Sequence, residues 1–289
     1  MMSKHFARLL PMLACGLLGA CASVAPAPRR PVLTFAQIAD AHLRPEFEAP
    51  ARFRAALGQL RKTHPEIAFV LNTGDAVDGI KNHADAVAKW GFWQAGIDGE
   101  LKGIPVYSVL GNHDFEGPAN DPLCGKAAVG KRLGMPSRYY SFDKAGWHFI
   151  LLDGNGFAAD KEQNAWLVKE LATVPATTPI VMVSHEPFFS FGALVHSPGD
   201  FIGNWKGLVA LFGQHPNVKL CLGGHTHEFD KTWHNGITYV CGGSLAGYWW
   251  EREKSHDGKG GYNGTRPGYG IIRLYADGTC DCDYVKSEN

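Results

Sequence analysis

The residues in this chain best suited to chemistry are carboxylates and histidines that recur just after short apolar runs. In chain order they are Asp40 and His42 in "DAH", Asp75 in "TGD", Asn112, His113 and Asp114 in "GNHD", His185 in "SHEP", and His225 and His227 in "GGHTHE". Taken singly, each reads as an ordinary loop residue. Taken together, Asp40, His42, Asp75, Asn112, His185, His225 and His227 offer carboxylate, imidazole and amide groups and no thiolate. Such a mixed nitrogen and oxygen donor set suits Mn, Fe or Zn better than Ca. Seven donors are more than one such ion accepts, but they match two ions that share a carboxylate. Two metals about 3.5–4 Å apart are what phosphoester cleavage exploits, by activating water and offsetting charge on phosphate oxygens.

The elements that must position these groups follow from the apolar runs themselves. "VLTFAQIAD", "IAFVLNTGD", "IPVYSVLGNHD", "WHFILLDGN", "PIVMVSHEP", "VKLCLGGHTH" and "ITYVCGGS" are rich in β-branched and aromatic residues and stop at Gly, Asp or Asn. They read as strands buried on both faces. Helical patterns lie between some of them. Phe53, Ala56, Leu57 and Leu60 share one face of the first. A second has Asp160 as cap, Gln163 three residues on, and Ala165, Trp166, Leu167 and Leu171 as its apolar side. Alternating strands and helices predict an α/β fold with a largely parallel sheet, whose carboxyl edge gathers ligand sites. Phe115–Arg138 and Phe188–Lys206 read as long loops, the second rich in aromatics. "YGIIRLYADGTCDCDYV" reads as a closing hairpin.

Composition bounds the rest. The chain has 289 residues, 45% hydrophobic and 19% charged, enough for a sizeable core. Lys4 and Arg8 precede the apolar stretch Leu9–Leu18, an export signal too short to span a bilayer. Without those two cations the balance is 26 basic to 28 acidic residues, so no nucleic-acid groove is expected. Five cysteines besides Cys15 and Cys21 remain. Their odd count leaves at least one thiol unpaired. Cys221 and Cys241 lie on successive runs and are candidate neighbours, while Cys280 and Cys282 are expected to face apart along a strand.

Two resemblances sharpen these readings. Leu18-Gly19-Ala20-Cys21 resembles a bacterial lipobox, which implies a signal peptide over 1–20 and lipid on Cys21. An Ala/Pro tether would follow over 21–31, and a single domain over 32–289 whose aromatic and Gly-rich extension begins at 242. Ala22 after the lipid site, by resemblance to Gram-negative lipoproteins, favours the outer membrane or its periplasmic face, with the lipid as the only membrane contact.

The ordered series D-x-H, G-D, G-N-H-D, H and G-H-x-H, from Asp40 to His227, resembles the calcineurin-like metallophosphoesterases. That resemblance implies a four-layer α/β/β/α sandwich and two transition metals. Asp40, His42 and His227 would hold one metal, Asn112, His185 and His225 the other, and Asp75 would bridge them. With "HTH" extended, His225 and His227 would share a face and Thr226 would turn away. His113, without a metal, would face the phosphate and protonate the leaving oxygen, oriented by Asp78 or Asp114, while a metal-bridging hydroxide attacks phosphorus in line. Asp78 also stands where purple acid phosphatases carry an iron-binding tyrosine.

By the same resemblance "SRYYSFD" is the strand after the "GNHD" loop, and Trp249 and Trp250 wall the pocket. His196 is a further candidate substrate contact. The expected substrate is a small phosphoester, a diester in preference to a monoester because no basic cluster stands out, with Arg44, Arg138 and Arg252 as the cations able to reach it. The alternatives are a pyrophosphate hydrolase and a metal-containing lipoprotein that only binds a phosphorylated ligand.

Overall fold

A computed structural model describes residues 29–196, 198–246 and 264–288. From the amino end the elements are β1 (Leu33–Ile38), α1 (Ala49–Thr63), β2 (Val70–Asn72), α2 (His83–Glu100), β3 (Val106–Ser108), α3 (Lys126–Arg132), β4 (Tyr140–Lys144) and β5 (Trp147–Leu151). There follow α4 (Lys161–Thr173), β6 (Ile180–Val183), α5 (Phe191–His196), α6 (Trp205–Gly213), β7 (Val218–Gly223), β8 (Asp230–His234), β9 (Ile237–Cys241), β10 (Gly268–Leu274) and β11 (Cys280–Lys286). All seven apolar runs contain strands.

The strands form two sheets rather than one. The first has the order β11-β10-β1-β2-β3 and the second β4-β5-β6-β7-β9-β8. The first is parallel through β1–β2–β3 and antiparallel through β11–β10–β1; the second is parallel through β5–β6–β7–β9 and antiparallel at both flanks. The two sheets face each other across a core that includes Phe35, Phe69 and Ile272 from the first and Phe149, Val181 and Leu222 from the second. Outside the first sheet, Phe53, Leu57 and Leu60 of α1 pack with Trp90 and Trp93 of α2. Outside the second, Leu167 and Leu171 of α4 pack with Leu208 and Phe212 of α6. The layers therefore run α/β/β/α. Strands with apolar side chains on both faces require this arrangement, because each sheet must cover one face with the other sheet and one with helices.

The helix caps follow local chemistry. Asp160 accepts from the Gln163 amide at 2.9 Å, as its spacing predicts. Helix α2 escapes the periodicity argument because its buried face includes Lys89 and Gly96, and Gly91 and Gly99 interrupt the helix elsewhere. Its start is nevertheless marked by Asn82, which accepts from the Asp85 amide at 3.0 Å. Gly96 is where α2 meets α1: a Cβ there would run into the Phe53 ring.

Several expectations are corrected. The stretch Phe115–Arg138 contains α3, and Phe188–Lys206 contains α5 and the start of α6. Most of the aromatics of that second stretch are packed: Phe188 lies 5.3 Å from Phe212, and Phe201 stacks on Trp205 at 4.7 Å. Cys221 pairs in register with Tyr239 and Cys241 with Gly223, and both thiols are free. Cys280 and Cys282 point the same way and both join the core between the sheets. Residues two apart on a strand share a face.

Candidate metal centre

Every candidate ligand sits just past the carboxyl end of a parallel strand. Asp40 and His42 follow β1, Asp75 follows β2, Asn112 follows β3, His185 follows β6, and His225 and His227 follow β7. Backbone pairing continues beyond the strands and fixes the loops. The Asp40 amide donates to Gly74 O at 3.0 Å, the His42 amide to Asp75 O at 2.9 Å, and the Gly224 amide to His185 O at 2.8 Å. Asp40, His42, Asp75, His225 and His227 all adopt positive φ, between 43° and 73°. A non-glycine residue in this region costs free energy, on the order of 1–3 kcal/mol. Such strain persists where surrounding structure imposes it, and here it bends five side chains back toward one point.

The side chains form two groups. In the first, His42 Nε2 lies 3.0 Å from His227 Nε2, and His227 Nε2 lies 3.5 Å from Asp40 Oδ1. In the second, His185 Nε2 lies 3.2 Å from His225 Nδ1 and 3.1 Å from Asn112 Oδ1. Asp75 belongs to both: its Oδ2 is 3.5 Å from His42 Nε2 and 3.3 Å from His185 Nε2. The "HTH" segment is not extended, since His225 and His227 both have positive φ. The two rings still reach adjacent groups, and Thr226 turns away to contact Cys241 Sγ at 3.0 Å.

The chemistry of this donor set fits cations. His185 Nδ1 donates to the Thr73 carbonyl at 2.8 Å, which leaves a lone pair on Nε2. That lone pair points at the Asp75 carboxylate, the Asn112 amide oxygen and the His225 ring nitrogen. Only a proton or a metal ion reconciles so many converging lone pairs. Burial disfavours charge on His185, but the Asp75 carboxylate outweighs it and raises its pKa to about 10. Burial likewise opposes charge on His42, whose bonds to Asp40 and Asp78 raise it to about 9. His225, pushed down by burial and then by the charge of His185, falls to about 4. Burial works against ionised Asp40 and Asp75, yet the surrounding imidazoles hold both below the usual carboxylate range.

His113 lies beside this cluster, its ring 5.1 Å from that of His42, and its side chain is 30% exposed. His113 Nδ1 is 4.0 Å from Asp78 Oδ1 and 3.5 Å from Glu116 Oε2. Asp78 also lies 3.6 Å from His42 Nδ1 and is clamped by Arg44. Asp114 is corrected as a partner of His113. It is fully buried and accepts from the backbone amides of Asp75, Val77 and Gly111 at 3.0, 3.2 and 2.8 Å. Burial and the nearby Asp75 charge raise its pKa to about 7. Asp114 braces the two metal loops against each other, and Gly111 is required there because a Cβ would collide with Asp75.

A family model described as calcineurin-like phosphoesterase matches residues 33–229. The chain belongs to this family. It is a metal-dependent phosphoester hydrolase, and Asp40, His42 and His227 with Asp75, His185 and His225 are candidate ligands for the family's dinuclear centre. His42, Asp78 and His113 form a third group of possible ligands beside them. A 3′,5′-cyclic-nucleotide phosphodiesterase of Nostoc sp. is 27% identical over 264 residues, 86% of this chain and 90% of the relative. Purple acid phosphatase 15 of Arabidopsis thaliana is 32% identical over 52% of this chain, which spans only 29% of that protein. Among solved structures, a dimetal phosphatase from Danio rerio shares the fold with a TM-score of 0.59 at 16% identity, covering 85% of this chain and 94% of its own. The yellow lupin purple acid phosphatase PPD1 does so with a TM-score of 0.61 at 16% identity, over 89% of this chain and 52% of its own.

Within this phosphoesterase, the remaining candidates divide. His196, on α5, is engaged by the buried Glu228, with Nδ1 2.9 Å from Oε2. Arg138 is committed to Asp153 and Asp160, and Arg44 to Asp78 and Glu46. Cys21, Trp249, Trp250 and Arg252 lie outside the described residues. Glu116 and Lys89 were not found from the sequence. Glu116 is three residues past His113 and only a local helical turn reveals it. Lys89 is buried in α2, and its Nζ donates to the carbonyls of Asp78 and Gly79 at 3.0 and 2.8 Å and to Asp85 at 2.9 Å.

Proposed function

We propose that this phosphoesterase hydrolyses small organic phosphodiesters with two transition-metal ions of the Mn, Fe or Zn class. Asp40, His42 and His227 hold one ion, Asn112, His185 and His225 hold the other, and Asp75 is shared. The observation that carries this reading is the single Asp75 oxygen lying 3.5 Å from one imidazole group and 3.3 Å from the other. Bound there, the ions supply Lewis acidity toward phosphate oxygens and an activated water.

The chain's own residues account for the proton. His113 turns Nδ1 toward Asp78 and Glu116, so Nε2 is the ring nitrogen free to donate to the departing oxygen. Asp78 touches both His42 and His113 and fixes the acid relative to the metal site. A diester is supported over a monoester by charge. Among the described residues, Arg44, Lys126 and Arg138 are each bound to carboxylates. A monoanionic diester asks less of such a site than a dianionic terminal phosphate. The long match to a cyclic-nucleotide phosphodiesterase supports the same choice. Asp78, in place of an iron-binding tyrosine, weighs against a purple acid phosphatase site.

The test is hydrolysis of a chromogenic phosphodiester, the matching monoester and a 3′,5′-cyclic nucleotide by Mn²⁺-loaded protein, with and without chelator. Chelator-sensitive turnover that favours the diesters is expected. Preference for the monoester would overturn the substrate class, and two bound metals with no turnover would overturn catalysis on these esters.

A further inference from the structure

The paired cysteines of "TCDC" have no part in the phosphoesterase site. Edge strand β11 of the first sheet and edge strand β8 of the second leave a groove between them, roughly 270 Å³ in volume. Cys280 and Cys282 line it together with Lys231, Trp233 and Thr238. Cys282 is 3% exposed, Cys280 is half-buried, and both are free thiols. Lys231 Nζ reaches the Cys282 carbonyl at 3.1 Å, which places an ammonium beside the pair. Asp281, between the cysteines, and Asp283, after them, also border the groove, but their carboxylates are engaged: Asp281 accepts from the Tyr275 hydroxyl and Asp283 pairs with Arg273. Among the described residues, no third histidine, cysteine or carboxylate joins the two thiols within ligating distance.

We propose that Cys280 and Cys282 form a two-thiolate site for a soft monovalent cation of the copper(I) class. Strand geometry favours a metal over a disulfide. Residues two apart on a strand have Cα atoms about 6.6–6.8 Å apart, at the far limit for a disulfide whose S–S bond is only ~2.05 Å. A metal between the sulfurs replaces that bond with two of roughly 2.3 Å each, so the strand need not buckle. Two ligands are too few for zinc, which takes four, while thiolates select copper(I). Binding releases two thiol protons to solvent and changes no oxidation state. The resulting complex carries one negative charge, which Lys231 offsets. Of the two thiols, Cys280 is held below the usual range by the Cys282 thiol, against burial and the Asp281 charge, with help from the Thr238 hydroxyl and the Lys231 charge. Cys282 is raised well above that range by its bond to Cys280 and by burial, so the metal has to displace the Cys282 proton.

The experiment is an anaerobic titration of reduced, Mn²⁺-loaded protein with copper(I) in competition with bicinchoninate. Wild type is expected to withdraw one equivalent. Cys280→Ser and Cys282→Ser should each weaken retention by at least ~100-fold. Lys231→Met should weaken it by about tenfold, as loss of an outer-sphere partner does. Cys124→Ser should leave retention unchanged, and the Cys280→Ser, Cys282→Ser double variant should keep wild-type phosphoesterase turnover. Failure of wild type to compete with the chelator, or an equivalent of copper(I) still held by the double variant, would overturn the site.

Discussion

At the scale of single residues, the site separates metal retention from proton transfer. Asp75 stands in both ligand groups, so Asp75→Asn is expected to lose both metals and all turnover, with metal content read by elemental analysis. His113 belongs to neither group. His113→Ala is expected to keep two metals while turnover falls by roughly 10²–10⁴-fold. Unimpaired turnover in that variant would end its assignment as the acid. The ligand pKa values set a pH dependence as well. His42 and His185 hold protons up to about pH 9 and about pH 10 without metal, and metal binding must expel them. Affinity for Mn²⁺ should therefore rise steadily from pH 6.5 to pH 8.5, as measured by competition titration. A flat profile would mean that these rings are already neutral.

At the scale of elements, α2 matters to the site although none of its residues enters it. Its buried Lys89 ties the backbone at Asp78 and Gly79 to the helix, and so fixes the carboxylate that His113 faces. Lys89→Met would strand two buried carbonyls, each unmade bond costing ~1–3 kcal/mol. The expected result is a lower denaturation midpoint and slower turnover with two metals retained, because Asp75 is held independently by Asp114. Loss of metal in this variant would show that the Asp78 loop and the Asp75 loop are not separable. Little of this was legible in advance. Helix α2 carries three glycines and a buried charge, so its pattern does not resemble an amphipathic helix.

At the scale of the whole molecule, each ligand group draws on both sheets. Asp40 and His42 from the first sheet meet His227 from the second, and Asp75 and Asn112 meet His185 and His225 in the same way. Metal binding therefore cross-links the two halves of the sandwich and should raise Tm by several degrees, since a ligand of the native state stabilises it. A thermal scan with and without Mn²⁺ checks this, and Asp75→Asn should abolish the shift. From the amino-terminal motif alone we propose that a lipid on Cys21 attaches the chain to a membrane. Cys21→Ser in the full-length chain is expected to move the protein from the membrane fraction to the soluble one. Continued sedimentation with membranes would remove the lipid anchor from the proposal.

The sequence by itself determined most of the strands, the order of the motifs and the seven candidate ligands that the fold gathers. Apolar runs ending at Asp, Asn, Gly and His are a local signal, and motif spacing survives without knowledge of contacts. Tertiary structure alone decided that the strands divide between two facing sheets, since a run buried on both faces does not say what covers each face. It separated the surroundings of Asp78 and Asp114 for the same reason. Asp114 adjoins His113 in the chain and Asp78 lies 35 residues before it, but only folding shows that Asp114 is taken up by three backbone amides while Asp78 Oδ1 comes within 4.0 Å of the His113 ring. The positive-φ turns at His225 and His227 belong to this class too. An extended "HTH" and a coiled one read identically as residues, and only the Asp40 carboxylate accepting the His225 amide at 3.0 Å settles which is formed.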